Sequence, residues 1–536
     1  MQLLDCTLRD GAYIVDAEFG TSAIKGIIDK LQNANIDIIE CGWLKNSEHK
    51  IGTTFFHVPD DISMYVNKKS DNSVFVAMID WDRYDLNYLP KSENSILDAI
   101  RVVFPRGKAK EGIEVGRQIL EKGYKVYFQA ANTLAYSDEE LVELARCVNG
   151  INAEALSIVD TFGAMYEEDL ERIIEKLDEH LDSRIKLGFH SHNNQQLSFA
   201  LTQYFVNRLQ YSERDVIVDA SLCGMGRGAG NTTTELAASF LNRKYNCNYE
   251  MDQILDAIDL YMEYFKNNYS WGYSTPYFIS GMYCCHVNNI AYLLKNHRTN
   301  ARDMNEIIKS LDPQDRLKYD YDLLEEKYIE NQNRVIDDKA SIEALENAFQ
   351  DRIVLLIAPG KSTLTEIYKI KEYIKAKNPV VIEVNAINPE YEADYLFLIS
   401  SSRYDYSKSS YPELFSSKKK ILLSNIGANC GKDDVVINFN RVVKRGWDYF
   451  DNAVINCLRL LSIVHVKNVA IAGFDEFKAH YNETYADPSL PTVNPDGDWN
   501  KLNTEILDMF VDFKKTIGDS MNVEFITKSA YDVNNL

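Results

Sequence analysis

Residues 185–192 read Ile-Lys-Leu-Gly-Phe-His-Ser-His, an apolar run that ends in two histidines flanking one serine. Side chains two apart on a β-strand point to the same face, so His190 and His192 can reach a single ion from the end of one strand. Residues 5–11, Asp-Cys-Thr-Leu-Arg-Asp-Gly, set a hard oxygen donor, Asp10, beside a guanidinium, Arg9, after another short apolar run. A third stretch, Ser221-Leu-Cys-Gly-Met-Gly-Arg-Gly-Ala-Gly-Asn231, ends in an amide oxygen that can act as a fourth ligand. Two imidazoles with one or two oxygen donors suit a divalent ion, Mn or Mg first and Co or Zn also accommodated, with positions left open for substrate.

Similar apolar runs recur outward from this segment, at Leu3–Leu4, Ile36–Cys41, Val74–Ile79, Arg101–Phe104, Tyr124–Gln129, Ala155–Asp160 and Val216–Leu222. Helix-like stretches such as 22–33, 110–122, 137–148 and 167–181 lie between them, and eight strands alternating with helices predict an α/β fold, a (β/α)8 TIM barrel. Arg9, Asp10, Glu40, Asp80, Asn132, Asp160, His190, His192 and Asn231 fall at or just after run ends. The C-terminal ends of the strands are where a barrel carries its active site.

The predicted division is a barrel over 1–244, a Tyr-rich helical extension and charged linker over 245–345, and a smaller Rossmann-like α/β domain over 346–536. The last is read from runs at Arg352–Ala358, Val380–Asn385, Tyr395–Ser400, Lys420–Leu423, Val435–Asn438 and Val469–Gly473. A chain of 536 residues with 45% apolar content can bury a large core. Its formal charge of -22 disfavours nucleic acid and anionic membrane as partners. Nine cysteines form no CxxC, no apolar stretch is long enough to span a bilayer, and no leader is read at the start, so a soluble cytoplasmic protein is expected. A homo-oligomer is compatible with these features.

The order Asp-x-Thr-Leu-Arg-Asp-Gly, Glu40, Asp160-Thr-Phe-Gly163, His-x-His and a Gly-rich loop ending in Asn resembles the metal-dependent aldolase and Claisen-condensing lyase superfamily over roughly residues 1–300. The hydroxymethylglutaryl-CoA lyases belong to it, and the aldolase branch, typified by 4-hydroxy-2-oxovalerate aldolase, is the most similar part. The resemblance implies that Asp10, His190 and His192 ligate the metal, that Asn231 adds a contact, and that Arg9 steadies an enolate oxygen. It also implies a 2-oxo acid and an aldehyde as reactants. A 2-oxo acid can chelate a divalent ion, and a guanidinium beside its ketone oxygen is most valuable as charge arrives there.

Glu40 is read as a base or as an orienter of a ligand or of Arg9, and Asp160, Gly224 and Gly226 as the substrate side of the mouth, with Asp160 in a supporting rather than a catalytic role. The aldolase branch has a histidine at the second position after the motif glycine, whereas Tyr13 stands there in this chain, so proton transfer falls to Tyr13 as an acid, to metal-bound water or to another residue. The pattern Gly224-Met-Gly226-Arg-Gly228-Ala229 also satisfies a loose dinucleotide fingerprint, but it follows the eighth strand rather than the first.

In the second domain, Ala-Pro-Gly-Lys-Ser after a strand lacks the first Walker glycine, position 355 being leucine. It still offers Gly360, Lys361 and Ser362 as an anion cradle for a nucleotide or sugar phosphate. The region resembles Rossmann-like domains of sialyltransferase-like and pterin-pyrophosphokinase-like proteins. The expected activity is a metal-dependent carbon-carbon lyase or aldolase working through an enolate; the alternatives are Claisen chemistry on an acyl-CoA and a scaffold that keeps metal without catalysis.

Overall fold

The structure, a computed structural model, describes residues 1–296, 301–332, 336–427, 431, 434–478, 484–490 and 498–532. It divides into two compact units, Met1–Ala291 with Asp312–Tyr319, and Tyr292–Leu311 with Asp320–Leu536. The division falls inside the interval read as extension and linker.

Eight parallel strands build the first unit: β1 Gln2–Asp5, β2 Ile38–Leu44, β3 Val74–Asp80, β4 Ala99–Phe104, β5 Lys125–Ala130, β6 Ala155–Asp160, β7 Lys186–Ser191 and β8 Val216–Ala220. Strand β1 pairs with β2 through Leu4 and Ile38 and with β8 through Gln2 and Ile217, closing the sheet into the expected barrel. The helices between strands are amphipathic, and Glu167–His180 buries Leu170, Ile173, Ile174 and Leu177 on one side. Ser137 and Glu140 start the Asp138–Asn149 helix with a reciprocal cap, each side chain accepting the other's backbone N–H.

Strand periodicity sorts the barrel interior into layers. Leu4, Ile38, Val76, Ala99, Tyr127, Ala155 and Ile217 form an apolar cluster at the base. Two residues further along the same strands stand Glu40, Met78, Arg101, Gln129, Ser157 and Asp219, so a charged and polar layer rests on an apolar floor.

The second unit contains an open, all-parallel sheet of β9 Ile353–Ile357, β10 Val380–Val384, β11 Tyr395–Leu398, β12 Lys419–Leu423, β13 Val435–Ile437, β14 Asn468–Ala472 and β15 Asn522–Phe525. Their spatial order, β13-β12-β11-β10-β9-β14-β15, reverses direction beside β9. The last strand escapes sequence reading because Asn-Val-Glu-Phe is short and only Val523 is buried in it. Among the described residues no helix is long and apolar enough to cross a membrane.

Candidate metal centre at the barrel mouth

Strand β1 runs into the short Thr7–Asp10 helix, which carries Arg9 and Asp10 over the barrel end. Strand β7 delivers His190, and His192 follows two positions later on the same side. An isolated antiparallel bridge ties His192 to Asn231 and brings the end of the Gly-rich loop to the histidines. Asp10, His190 and His192 are buried, and their potential ligand atoms lie within 4.8 Å of one another.

The hydrogen bonds leave these side chains in a ligating state. Nδ1 of His192 faces the carbonyl oxygen of Arg227 at 3.2 Å, and a carbonyl can only accept, so the proton sits on Nδ1 and the Nε2 lone pair is free. Nδ1 of His190 likewise faces Asp219 Oδ2 at 3.1 Å. Burial pushes His192 down to about 4, which keeps its ring neutral near pH 7. Burial alone would raise Asp10, but the adjacent Arg9 charge overrides it and holds the carboxyl well below the usual range.

Asn231 donates from Nδ2 to Asp10 Oδ2 at 2.7 Å, while its buried Oδ1 has no hydrogen-bond partner among the described residues. A Cβ at Gly226 would lie 2.3 Å from Asn231 Nδ2 and 2.5 Å from Asp10 Oδ2, so glycine there keeps the cradle open. Two imidazoles, an ionised carboxylate and an orphaned amide oxygen fit a divalent ion.

Behind this cluster runs a buried chain of opposite charges that the sequence reading missed. Arg9 bonds Asp10 and, through Nε, Glu40 at 2.8 Å. Glu40 Oε2 also accepts from Arg101 Nη1 at 2.8 Å, and Arg101 Nη2 bonds Asp219, which returns to His190. Glu40 is thereby held between two guanidiniums and does not line the mouth, which favours its role as an orienter of Arg9 over that of a base. The signal for Arg101 and Asp219 was a charge inside an otherwise apolar strand.

A cavity of about 630 Å³ opens above the cluster, reached by Arg9, Asp10, Tyr13, His190, His192 and Arg227. Tyr13 packs edge-on to Trp43 and lies under the Arg227 guanidinium, 4.9 Å from its ring centroid. Tyr13 is half-exposed, and the part of its ring buried against the cavity outweighs Arg227 and raises the phenol above its ordinary value. Arg227, also unforeseen, donates to Asn288 Oδ1 at 2.7 Å and approaches Nε2 of His286 at 3.2 Å. Burial, reinforced by Arg227, pushes His286 down to about 3.

Three expected substrate contacts stand elsewhere. On β6 the inward positions are Ala155, Ser157 and Val159, so Asp160 turns away and Val159 lines the mouth instead. The Asp160 carboxylate accepts the amides of Ala164 at 2.9 Å and Met165 at 3.2 Å and so fixes the following loop; burial lifts it to about 7. Gly224 lines a separate depression with Cys223 and Trp271. Gly226 gives clearance to Asn231 and Asp10 rather than lining the cavity.

In the second unit the expected cradle is already engaged. Ser362 donates from its backbone N to Asp475 Oδ2 at 2.7 Å and from its hydroxyl to Oδ1 of the same carboxylate. Gly360 N bonds Gly473 O, and Lys361 N bonds Thr484 O, each at 3.0 Å.

Residues 105–260 match the family model described as HMGL-like. An oxaloacetate decarboxylase from Mycobacterium tuberculosis is 24% identical over 265 residues, covering 48% of this chain and 74% of that protein. A 4-hydroxy-2-oxovalerate aldolase from Chloroflexus aurantiacus is 25% identical over 268 residues, again 48% of this chain and 74% of the relative. The crystal structure of the N-terminal domain of a candidate aldolase from Bacteroides vulgatus superposes with a TM-score of 0.50 at 22% identity, covering 58% of this chain and all of that one. The barrel, its metal-type cluster and these similarities agree, and the first unit contains an HMGL-like domain.

Proposed function

We propose that the barrel is a divalent-metal-dependent carbon-carbon lyase of the aldolase type, working through the enolate of a pyruvate-like 2-oxo acid. The observation that carries this reading is the buried convergence of Asp10, His190 and His192 with the Arg9 guanidinium alongside. The names of the two relatives support it, since oxaloacetate and 4-hydroxy-2-oxovalerate are both 2-oxo acids. Asp10, His190, His192 and Asn231 would hold the ion, which when bound supplies Lewis acidity toward the ketone oxygen.

Bond cleavage beside the ketone moves an electron pair onto the ketone oxygen. Arg9, fixed by Glu40 and Asp10, presents positive charge there without having to reorganise. Tyr13, protonated near neutrality, serves as a donor in the proton path. His286, kept neutral by burial, can accept at only one ring nitrogen, from the backbone N–H of Asn288 at Nδ1 or from Arg227 at Nε2, and is a packing neighbour of Arg227 rather than a base. Arg227 in turn offers positive charge in the cavity to an anionic group of the substrate.

The test is methyl-proton exchange of pyruvate in deuterated water, followed by NMR with the metal-loaded protein, alongside turnover of candidate hydroxy-oxo acids. Metal-dependent exchange or aldehyde release is expected. Absence of both over a panel of 2-oxo acids, with metal shown to be bound, would remove the reading. Tyr13→Phe should lower turnover by about a hundredfold while metal content is unchanged. An unaltered rate and pH profile in that variant would reduce Tyr13 to packing against Trp43.

A further inference from the structure

Apart from the barrel, the second unit holds a cavity of about 160 Å³ beyond the C-terminal ends of β9, β10, β11 and β14. Those strands meet where the sheet order reverses, the position at which open parallel sheets leave a crevice for ligands. Arg403 is among its lining residues. It is 7% exposed, and the described carboxylates make no ion pair with it within 4.0 Å. Its Nη2 donates to the Tyr485 hydroxyl at 3.3 Å, and its guanidinium lies 5.2 Å from the centroid of that ring. Its Nη1 is buried with no hydrogen-bond partner among the described residues. Asp487 instead accepts from Tyr406 at 2.7 Å and Tyr411 at 2.9 Å, while two acids line the cavity itself, Asp451 and Asp475, the latter engaged by Ser362.

A buried guanidinium without a counter-charge is costly unless an anion completes it. Two further features lead to the same place. Ser400 caps the ten-residue Ser401–Ser410 helix, Asn452 caps the eleven-residue Ala453–Ile463 helix, and both caps line the cavity, so two helix starts converge where Arg403 waits. Helix starts favour negative charge. Tyr449, Phe474 and Phe477 also line the cavity and give it an aromatic wall.

We propose that this cavity binds a phosphate ester, with Arg403 and the two helix starts receiving the phosphate and the aromatic wall receiving the organic body. The anion site thus shifts from Lys361 and Ser362, whose turn is occupied by Asp475, to Arg403. Arginine suits the task because its planar fork matches two phosphate oxygens at once.

Calorimetric titration of the full-length protein with uridine 5′-monophosphate, cytidine 5′-monophosphate, glucose 1-phosphate and inorganic phosphate tests this, with uridine, cytidine and glucose as controls. At least one ester should bind with Kd below about 1 mM while its unphosphorylated parent does not. Nucleoside and sugar esters separate the two sources of the phosphate, and inorganic phosphate alone would overturn the role given to the aromatic wall. Arg403→Met should weaken the ester by about tenfold or more, and Lys361→Ala by less than about twofold. Because Arg403→Met removes an uncompensated charge, its melting temperature should hold or rise. Should that variant misfold, Arg403→Gln, which keeps a polar side chain, is expected to show the same loss. No binding by any ester, equal binding of the parent, or unchanged affinity in the folded Arg403 variant would overturn the proposal.

Discussion

Arg9→Ala is expected to lower exchange and turnover of the 2-oxo acid by about a hundredfold or more while leaving bound divalent metal unchanged, the usual result of deleting one preorganised donor to a developing oxyanion. Asp10→Asn and His190→Ala should behave differently and lose metal and activity together, because they remove ligand atoms from the cluster. Metal analysis of each purified variant separates the two classes. Arg9 stands next to Asp10 and bonds it, so a modest fall in metal affinity is compatible with the scheme; full activity after either kind of substitution is not.

Arg101→Met should destabilise the barrel by about 3–5 kcal/mol, because it strips a shared partner from two buried carboxylates, Glu40 and Asp219. The side chain is 1% exposed, so water cannot take over its role. Denaturant unfolding of the full chain, followed by a probe in the barrel, would report the loss; a change under about 1 kcal/mol would contradict the network's importance. The same substitution should weaken metal binding by about 10- to 100-fold, since Asp219 orients His190. Arg101→Lys is not expected to rescue either property, because one ammonium cannot replace a fork that serves two carboxylates at once.

The barrel and the convergence of Asp10, His190 and His192 were legible because they rest on local periodicity. Eight apolar runs appear as eight strands, and His-x-His works through spacing along a single strand. Arg101 and Asp219 were not legible for the opposite reason. They meet only after closure sets β4 and β8 across the interior, and in one dimension each looks like an interruption of an apolar run. Asp160 shows a third pattern: it stands at the end of the right strand, but alternation sends its neighbour Val159 to the mouth and turns the carboxylate to support the following loop. In the second unit, Gly360-Lys361-Ser362 looked like an open cradle because the carboxylate that fills it comes from Asp475, 113 residues beyond Ser362. Arg403 sat unnoticed in a serine-rich helix, where nothing nearby in sequence marks it as buried.

The chain of buried charges also sets an electroneutrality rule for what the barrel can admit. Three carboxylates, Asp10, Glu40 and Asp219, face two guanidiniums, Arg9 and Arg101, leaving one uncompensated negative charge inside. A divalent cation reverses that sign, and a singly charged oxo acid returns the interior to zero. A monocarboxylate therefore balances the site by itself, whereas a dicarboxylate carries a surplus that falls to the other cations lining the cavity, Arg83, Arg106, Arg227 and Lys318. Discrimination between the two classes of acid should follow total charge as much as shape, with these rim cations setting the tolerance.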